Sequence, residues 1–259
     1  MDAMTNRAAL RVALASIAVV VVLTALLAVA ILRLGGSSGV AAYPPAPQQA
    51  PVAAAGVVEP RVQGPSRSAA RVLVDQLWVT RIATAAGIPA PAVRAYADAE
   101  LVLRDEQPRC HLSWNTLAGI GWVESQHGTI GGRTLLADGR SSQTILGPAL
   151  DGTGGYAAIH STGASAAWHG DAVWEHAVGP LQFLPSTWTR WSADGDGDGV
   201  ADPGDLDDAA LAAGRYLCAD GHDLATDSGW TAAVHAYNHD DGYVAGVAAA
   251  ANTYVARTR

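Results

Sequence analysis

The chain has 259 residues, a formal charge of −8 and no lysine, and 49% of its residues are apolar. That length suits one sizeable domain plus additional segments. An acidic, lysine-free chain lacks the clustered cations that neutralise phosphate, so nucleic acid is excluded as an expected partner.

Residues 1–11 form a short leader holding Arg7 and Arg11. The 21 residues 12–32 then carry no charge; Ser16 and Thr24 are the polar ones, and Arg33 follows. At about 1.5 Å per helical residue this run crosses a hydrocarbon core of roughly 30 Å. The basic leader orients the rest of the chain outward. Residues 12–34 therefore read as a single-pass transmembrane signal anchor, with a cleavable signal peptide as the competing reading. The run is longer than a usual signal core, and no small-x-small site follows it directly.

Residues 35–66 hold Gly35-Gly36-Ser37-Ser38, Pro44-Pro45, Pro47, Pro51, Pro60 and Pro65. Such a segment is extended and builds no core, so it reads as a linker. The folded domain is expected over residues 67–259.

Within it, the apolar spacing predicts a helix over 68–86 stopped by Gly87, and a second over 92–104 after Pro89 and Pro91. A third runs over 116–125 with Asn115 as its cap. Residues 128–177 are rich in Gly, Ser and Thr, and read as a long irregular region with short strands. Helices follow over 185–191, 206–219, 230–237 and 241–257. The expected class is mainly α, with seven to nine helices. Two cysteines, Cys110 and Cys218, lie beyond the apolar segment. In an oxidising compartment they pair as a disulfide, against the alternative of two buried thiols.

Three clusters carry chemistry. In the first, Leu117, Ile120, Gly121 and Glu124 fall at i, i+3, i+4 and i+7 on one helix face. A carboxyl on an apolar stripe is pushed toward its neutral form, which suits a general acid; a solvated helix-end glutamate is the competing reading. In the second, Gly179-Pro180-Leu181-Gln182-Phe183 forms a turn that sets an amide beside an aromatic ring. That pairing suits a sugar, whose hydroxyls bond the amide and whose apolar face packs on the ring. In the third, Tyr237, Asn238 and Tyr243 offer another amide and two phenols. There His235 and His239 sit at a zinc-like i, i+4 spacing, but no third ligand is evident.

A fourth motif is metal-binding. Asp194, Asp196 and Asp198 stand at positions 1, 3 and 5, Gly199 at 6 and the Val200 carbonyl at 7, as in an EF-hand-like calcium loop. Asp205 takes the twelfth position, where Glu is usual. Because Asp is shorter, a longer loop closed by Asp208 competes with it. Mg²⁺ fits less well, since it keeps more of its water.

In this order, the stretches around Glu124-Ser125-Gln126-His127-Gly128, Gly179 to Trp188, Asp194 to Gly199 with Asp205 to Asp208, and Ala236-Tyr237-Asn238 with Tyr243 resemble the soluble lytic transglycosylase B family. These are the MltB-like membrane-bound murein transglycosylases, here in an actinobacterial form. Leu181 stands where Met is more usual, and residues 161–168 lack expected acidic residues.

The resemblance implies a lysozyme-like fold and cleavage of the MurNAc–GlcNAc β-1,4 bond of peptidoglycan glycan strands with a 1,6-anhydroMurNAc product. It implies Glu124 as the single acid/base with Ser125 as its hydrogen-bonding neighbour. Gln182, Phe183, Tyr237, Asn238 and Tyr243 would line the sugar groove, and Asp194, Asp196, Asp198, the Val200 carbonyl and Asp208 would hold structural Ca²⁺. The expected protein is a monomer, tethered to the cell membrane with its catalytic domain on the wall side. A hydrolytic muramidase of the same fold, a non-catalytic calcium-stabilised wall scaffold and a zinc peptidase are the rival readings.

Overall fold

The computed structural model describes residues 73–259. The leader, the apolar segment 12–34, the linker 35–66 and the first residues of the expected domain lie outside the described residues. Among the described residues no helix is long and apolar enough to cross a membrane.

Eight α-helices are present among these residues: α1 Gln76–Ala86, α2 Ala90–Glu106, α3 Trp114–Ser125, α4 Gly163–His169, α5 Pro185–Trp191, α6 Leu206–Leu217, α7 Asp227–Tyr237 and α8 Asp241–Thr258. The expected mainly α class is what the described residues adopt. Among the described residues, pairing between extended segments is confined to isolated bridges, such as Leu146 with Val178 and Val178 with Phe183.

Local chemistry accounts for the helix ends. Asp75 accepts from the Trp78 N–H at 2.8 Å and starts α1. Gly87, at φ 73°, ends it by returning its N–H to Ala83; a left-handed residue is what such a stop requires. The helix therefore begins later than the spacing around residue 68 predicts. Two residues before it, the Val74 N–H donates to Asp98 Oδ1 at 2.7 Å.

The start of α3 corrects another expectation. Its cap position is Ser113, and Asn115 lies inside the helix, where it accepts from Ser113 Oγ at 2.6 Å. α4 was not foreseen in the irregular stretch. Its signal is a capping box in which Thr162 and Ser165 satisfy each other's backbone N–H.

α3 packs most extensively on α8, and α2 on α6. The α3–α8 approach is close. A side chain at Gly119 would place its Cβ 2.6 Å from the Val247 carbonyl oxygen, so only glycine fits. Leu117, Ile120, Trp114, Tyr96 and Trp230 are fully buried around α3. The Trp230 indole N–H finds Thr116 Oγ1 at 3.1 Å, which removes the cost of burying it. Cys110 and Cys218 are bonded, with Cα atoms 5.4 Å apart. The bond ties the α2–α3 connection to the end of α6.

Candidate active site

The final turn of α3 carries Glu124 and is held from three sides. Gln126 and His127 both take left-handed conformations, at φ 54° and 61°, and the His127 N–H returns to the Gly121 carbonyl at 2.7 Å. The His127 ring bridges two other helices, with Nδ1 3.1 Å from the Tyr96 hydroxyl and Nε2 2.8 Å from that of Tyr254. Burial lowers the His127 pKa to about 3, so the ring is neutral and one nitrogen donates while the other accepts. A Cβ on Gly121 would collide with the Tyr96 hydroxyl at 2.0 Å. Gly121 is thus the close-approach position that lets this network form.

Ser125 is fully buried. It donates to the Pro180 carbonyl at 2.5 Å and accepts from the Gly128 N–H at 2.8 Å. This corrects the expectation that Ser125 is the hydrogen-bonding neighbour of Glu124. Its hydroxyl faces the other way and fastens the 179–183 turn to the end of α3.

Glu124 itself is half-buried. Its Oε1 accepts from the Tyr243 hydroxyl at 2.6 Å. Burial raises its pKa to about 7, and the Tyr243 hydrogen bond opposes that rise. The carboxyl therefore exchanges its proton near neutral pH, as a group that must act as acid and then as base requires.

Tyr243 sits in the first turn of α8, where Asp240 caps its backbone N–H at 2.7 Å. Tyr237, in the last turn of α7, donates to the Leu181 carbonyl at 2.8 Å. The two phenol rings lie parallel, 6° apart in plane, with centroids at 6.4 Å. Burial pushes both phenols well above the ordinary tyrosine range, so both remain neutral hydrogen-bonding groups.

Gln182 occupies a left-handed position at φ 51° and donates from Nε2 to the Gly179 carbonyl at 2.9 Å. Gly179 makes the turn possible, because a Cβ there would meet the Pro203 carbonyl oxygen at 1.8 Å. Phe183 is 3% exposed and packs edge-on against Trp188 and Tyr237. It supports Tyr237 from beneath instead of offering a face to a sugar, as the sequence had suggested. Asn238 is exposed at the end of α7.

The acidic loop divides its residues between two jobs. Asp194, Asp196 and Asp208 each aim a carboxylate oxygen at a common point, all within 4.8 Å of one another. The Asp198 carboxylate is not one of these three and accepts the Val200 N–H at 2.7 Å. Asp205 caps α6 by accepting from Asp207 N–H at 2.9 Å and lies 3.7 Å from Arg140, so it is committed elsewhere. Asp208 reaches back from α6 to the Gly195 and Asp202 N–H groups, at 2.5 and 2.9 Å. Gly195 has no room for a side chain, since its Cβ would lie 2.0 Å from the Asp207 carbonyl.

The His235 and His239 rings lie edge to face at 5.4 Å. Among the described residues, the convergent metal-ligand group is the aspartate one. His235 Nε2 lies 3.9 Å from Asp241 Oδ1.

The Tyr96–His127–Tyr254 bridge and the Arg140 contacts went unread in the sequence. The partners lie far apart along the chain, and a lone His after Glu124-Ser125-Gln126 is the one hint of the first.

Comparisons with known proteins cover part of the chain. Residues 158–254 match the model of the transglycosylase SLT domain family. This match spans less than half of the chain and begins after Glu124. A search of curated proteins finds no match. The chain is similar to solved structures of the Escherichia coli lytic transglycosylase Slt35. The complex with bulgecin A is 15% identical, covering 71% of this chain and 79% of that one, with a TM-score of 0.38. The complex with calcium is 16% identical, covering 71% and 80%, with a TM-score of 0.36.

Proposed function

We propose that the protein is a lytic transglycosylase of bacterial peptidoglycan, with Glu124 as its single acid/base. The observation that carries this reading is the Glu124 carboxyl itself, raised to about 7 by burial and hydrogen-bonded by the Tyr243 hydroxyl at 2.6 Å. A lone acid suffices where the substrate supplies its own nucleophile. The match of residues 158–254 to the transglycosylase SLT domain supports the substrate class.

In the reaction, neutral Glu124 protonates the glycosidic oxygen as the C1–O4 bond of a MurNAc–GlcNAc link breaks. The substrate's acetamido group stabilises the developing cation. The Glu124 carboxylate then takes the proton of the C6 hydroxyl while O6 bonds to C1. The product is a 1,6-anhydroMurNAc end, and Glu124 regains its proton without net consumption of water. Intramolecular attack gains from proximity. Tyr243 holds Oε1, leaving Oε2 for proton exchange, and Tyr237, Gln182 and Asn238 border the sugar.

The aspartate loop fits a hard cation. Its convergent donors are all carboxylate oxygens, which would repel one another without one. Asp194, Asp196 and Asp208 hold Ca²⁺ in this reading, joined by Asp198 and the Val200 carbonyl. Its chemistry is structural, clamping the loop onto α6. The apolar stretch 12–32 tethers the domain to the membrane on the wall side, where an oxidising compartment suits the Cys110–Cys218 bond.

The test is mass spectrometry of purified peptidoglycan digested by the full-length protein and by Glu124→Gln. Anhydromuramic ends made by the native protein alone establish the reading. Reducing muramic ends make it a muramidase that uses water. Absence of any product from the native protein defeats both and leaves a binding role.

A further inference from the structure

Two clefts that Glu124 does not border meet at one side chain, and the larger backs onto Gly179 and Pro180 of the turn that carries Gln182. The larger, of about 550 Å³, is bordered by Gln143, Thr144, Ile145, Val178 and Val200. The smaller, of about 260 Å³, is bordered by His160, Thr162, Ser186 and Thr189. Trp168, in α4, borders both and is 40% exposed. Neither cleft is bordered by Glu124, Gln182, Tyr237 or Tyr243.

The lining selects a class of ligand. An exposed indole flanked by apolar walls offers a flat face, and the amide of Gln143 with the hydroxyls of Thr144 and Thr162 offers donors and acceptors beside it. The charges are already spent within the protein. Arg140 is paired with Asp202, and the buried Glu175 accepts from Ser165. An arginine committed to a carboxylate does not hold a phosphate or a free carboxylate, and two nearby acids disfavour an anion. What remains is a neutral, polyhydroxylated ring, the chemistry of a glycan unit. The combined space, in two compartments, falls in the range of small-molecule sites.

We propose that Trp168 and its two flanking clefts form a second glycan-binding site, which takes N-acetylglucosamine units of an uncut stretch of strand. This rests on the peptidoglycan reading and goes beyond it: the site adds hold on the polymer and takes no part in bond cleavage. Soluble short fragments, which cannot reach both places, gain nothing from it.

The experiment uses the full-length chain in detergent. Co-sedimentation with purified peptidoglycan sacculi compares Glu124→Gln with Glu124→Gln/Trp168→Ala, so that the polymer is not digested. Loss of one stacking platform weakens retention about 2- to 10-fold, and Trp168→Tyr, which keeps an aromatic face, restores most of it. In the otherwise native chain, Trp168→Ala slows release of product from sacculi and leaves the rate on soluble disaccharide–peptide oligomers unchanged. Retention equal in the two chains overturns the proposal, as does an equal rate loss on sacculi and soluble oligomers, which would place Trp168 in the catalytic groove. Failure of the parent reading looks different: sacculi are bound through Trp168 but never cut.

Discussion

The Tyr243 hydroxyl donates to Glu124 Oε1 at 2.6 Å, across 119 residues of sequence. It joins the first turn of α8 to the last turn of α3 and is the one hydrogen bond that opposes the raised pKa of the acid. Removing it in Tyr243→Phe takes away a bond to the charged form of Glu124. Bonds to charged groups are worth about 1.5–3 kcal/mol, so the Glu124 pKa rises by roughly one to two units. The alkaline limb of kcat/KM, which reports loss of the acid's proton, moves to higher pH by that amount. A pH–rate profile on soluble glycan fragments checks it; an unmoved limb would mean that the bond does not control the acid.

Glu124→Gln abolishes turnover and also changes how stability responds to pH. In the folded protein the carboxyl is raised from 4.5 to about 7, so the native state prefers the protonated form. That contribution is fully present below the unfolded pKa and is lost as pH rises through 7. Glutamine carries no such dependence and still accepts from Tyr243. The variant therefore gains on the native chain between pH 4.5 and 7, by up to about 3 kcal/mol at pH 8. Melting curves at pH 4 and pH 8 read the difference, and equal offsets at both values would contradict the raised pKa.

Calcium should stabilise the fold through Asp194, Asp196 and Asp208. At a hundredfold excess over its dissociation constant a ligand of the native state alone adds about 2.7 kcal/mol. Thermal melts with calcium and with chelator are expected to separate accordingly, and Asp194→Asn, whose carboxylate is exposed, should close the gap. Coincident curves would leave the aspartates as a self-capping turn without a metal.

The Cys110–Cys218 bond closes a loop of 108 residues. A chain-entropy estimate for that length is about 4–5 kcal/mol. Urea unfolding of the Cys110→Ala/Cys218→Ala chain should show a loss of that order, without change in the cleavage product, because neither cysteine borders Glu124.

Ser125→Ala leaves the buried Pro180 carbonyl and Gly128 N–H without their shared partner. The stability cost is about 1–3 kcal/mol. Activity falls further than stability implies, because the turn bearing Gln182 loses its anchor to the helix bearing Glu124. KM and kcat measured well below the melting temperature separate the two effects.

Sequence alone determined the features that depend on neighbours within a few residues. Gly87 stops α1 because only a left-handed residue closes that turn, and Pro185 starts α5 because its missing N–H is no loss in a first turn. The i, i+3, i+4, i+7 stripe put Glu124 on the buried face of α3, since helical periodicity is local geometry. Tertiary structure decided the rest, through partners that spacing cannot reveal. Ser125 stands next to Glu124 in the chain, yet it serves Pro180 because the turn packs on its other side. Phe183 stands next to Gln182, yet it is core because Trp188 and Tyr237 enclose it. Asp205 and Asp208 both stood as candidates to close the acidic loop, Asp208 by its longer reach, and tertiary contacts chose between them: Arg140 and the start of α6 claim Asp205, while Asp208 faces Asp194 and Asp196. Short-range backbone chemistry is written residue by residue, whereas the partner that satisfies a buried polar group is chosen only when distant segments of the chain meet.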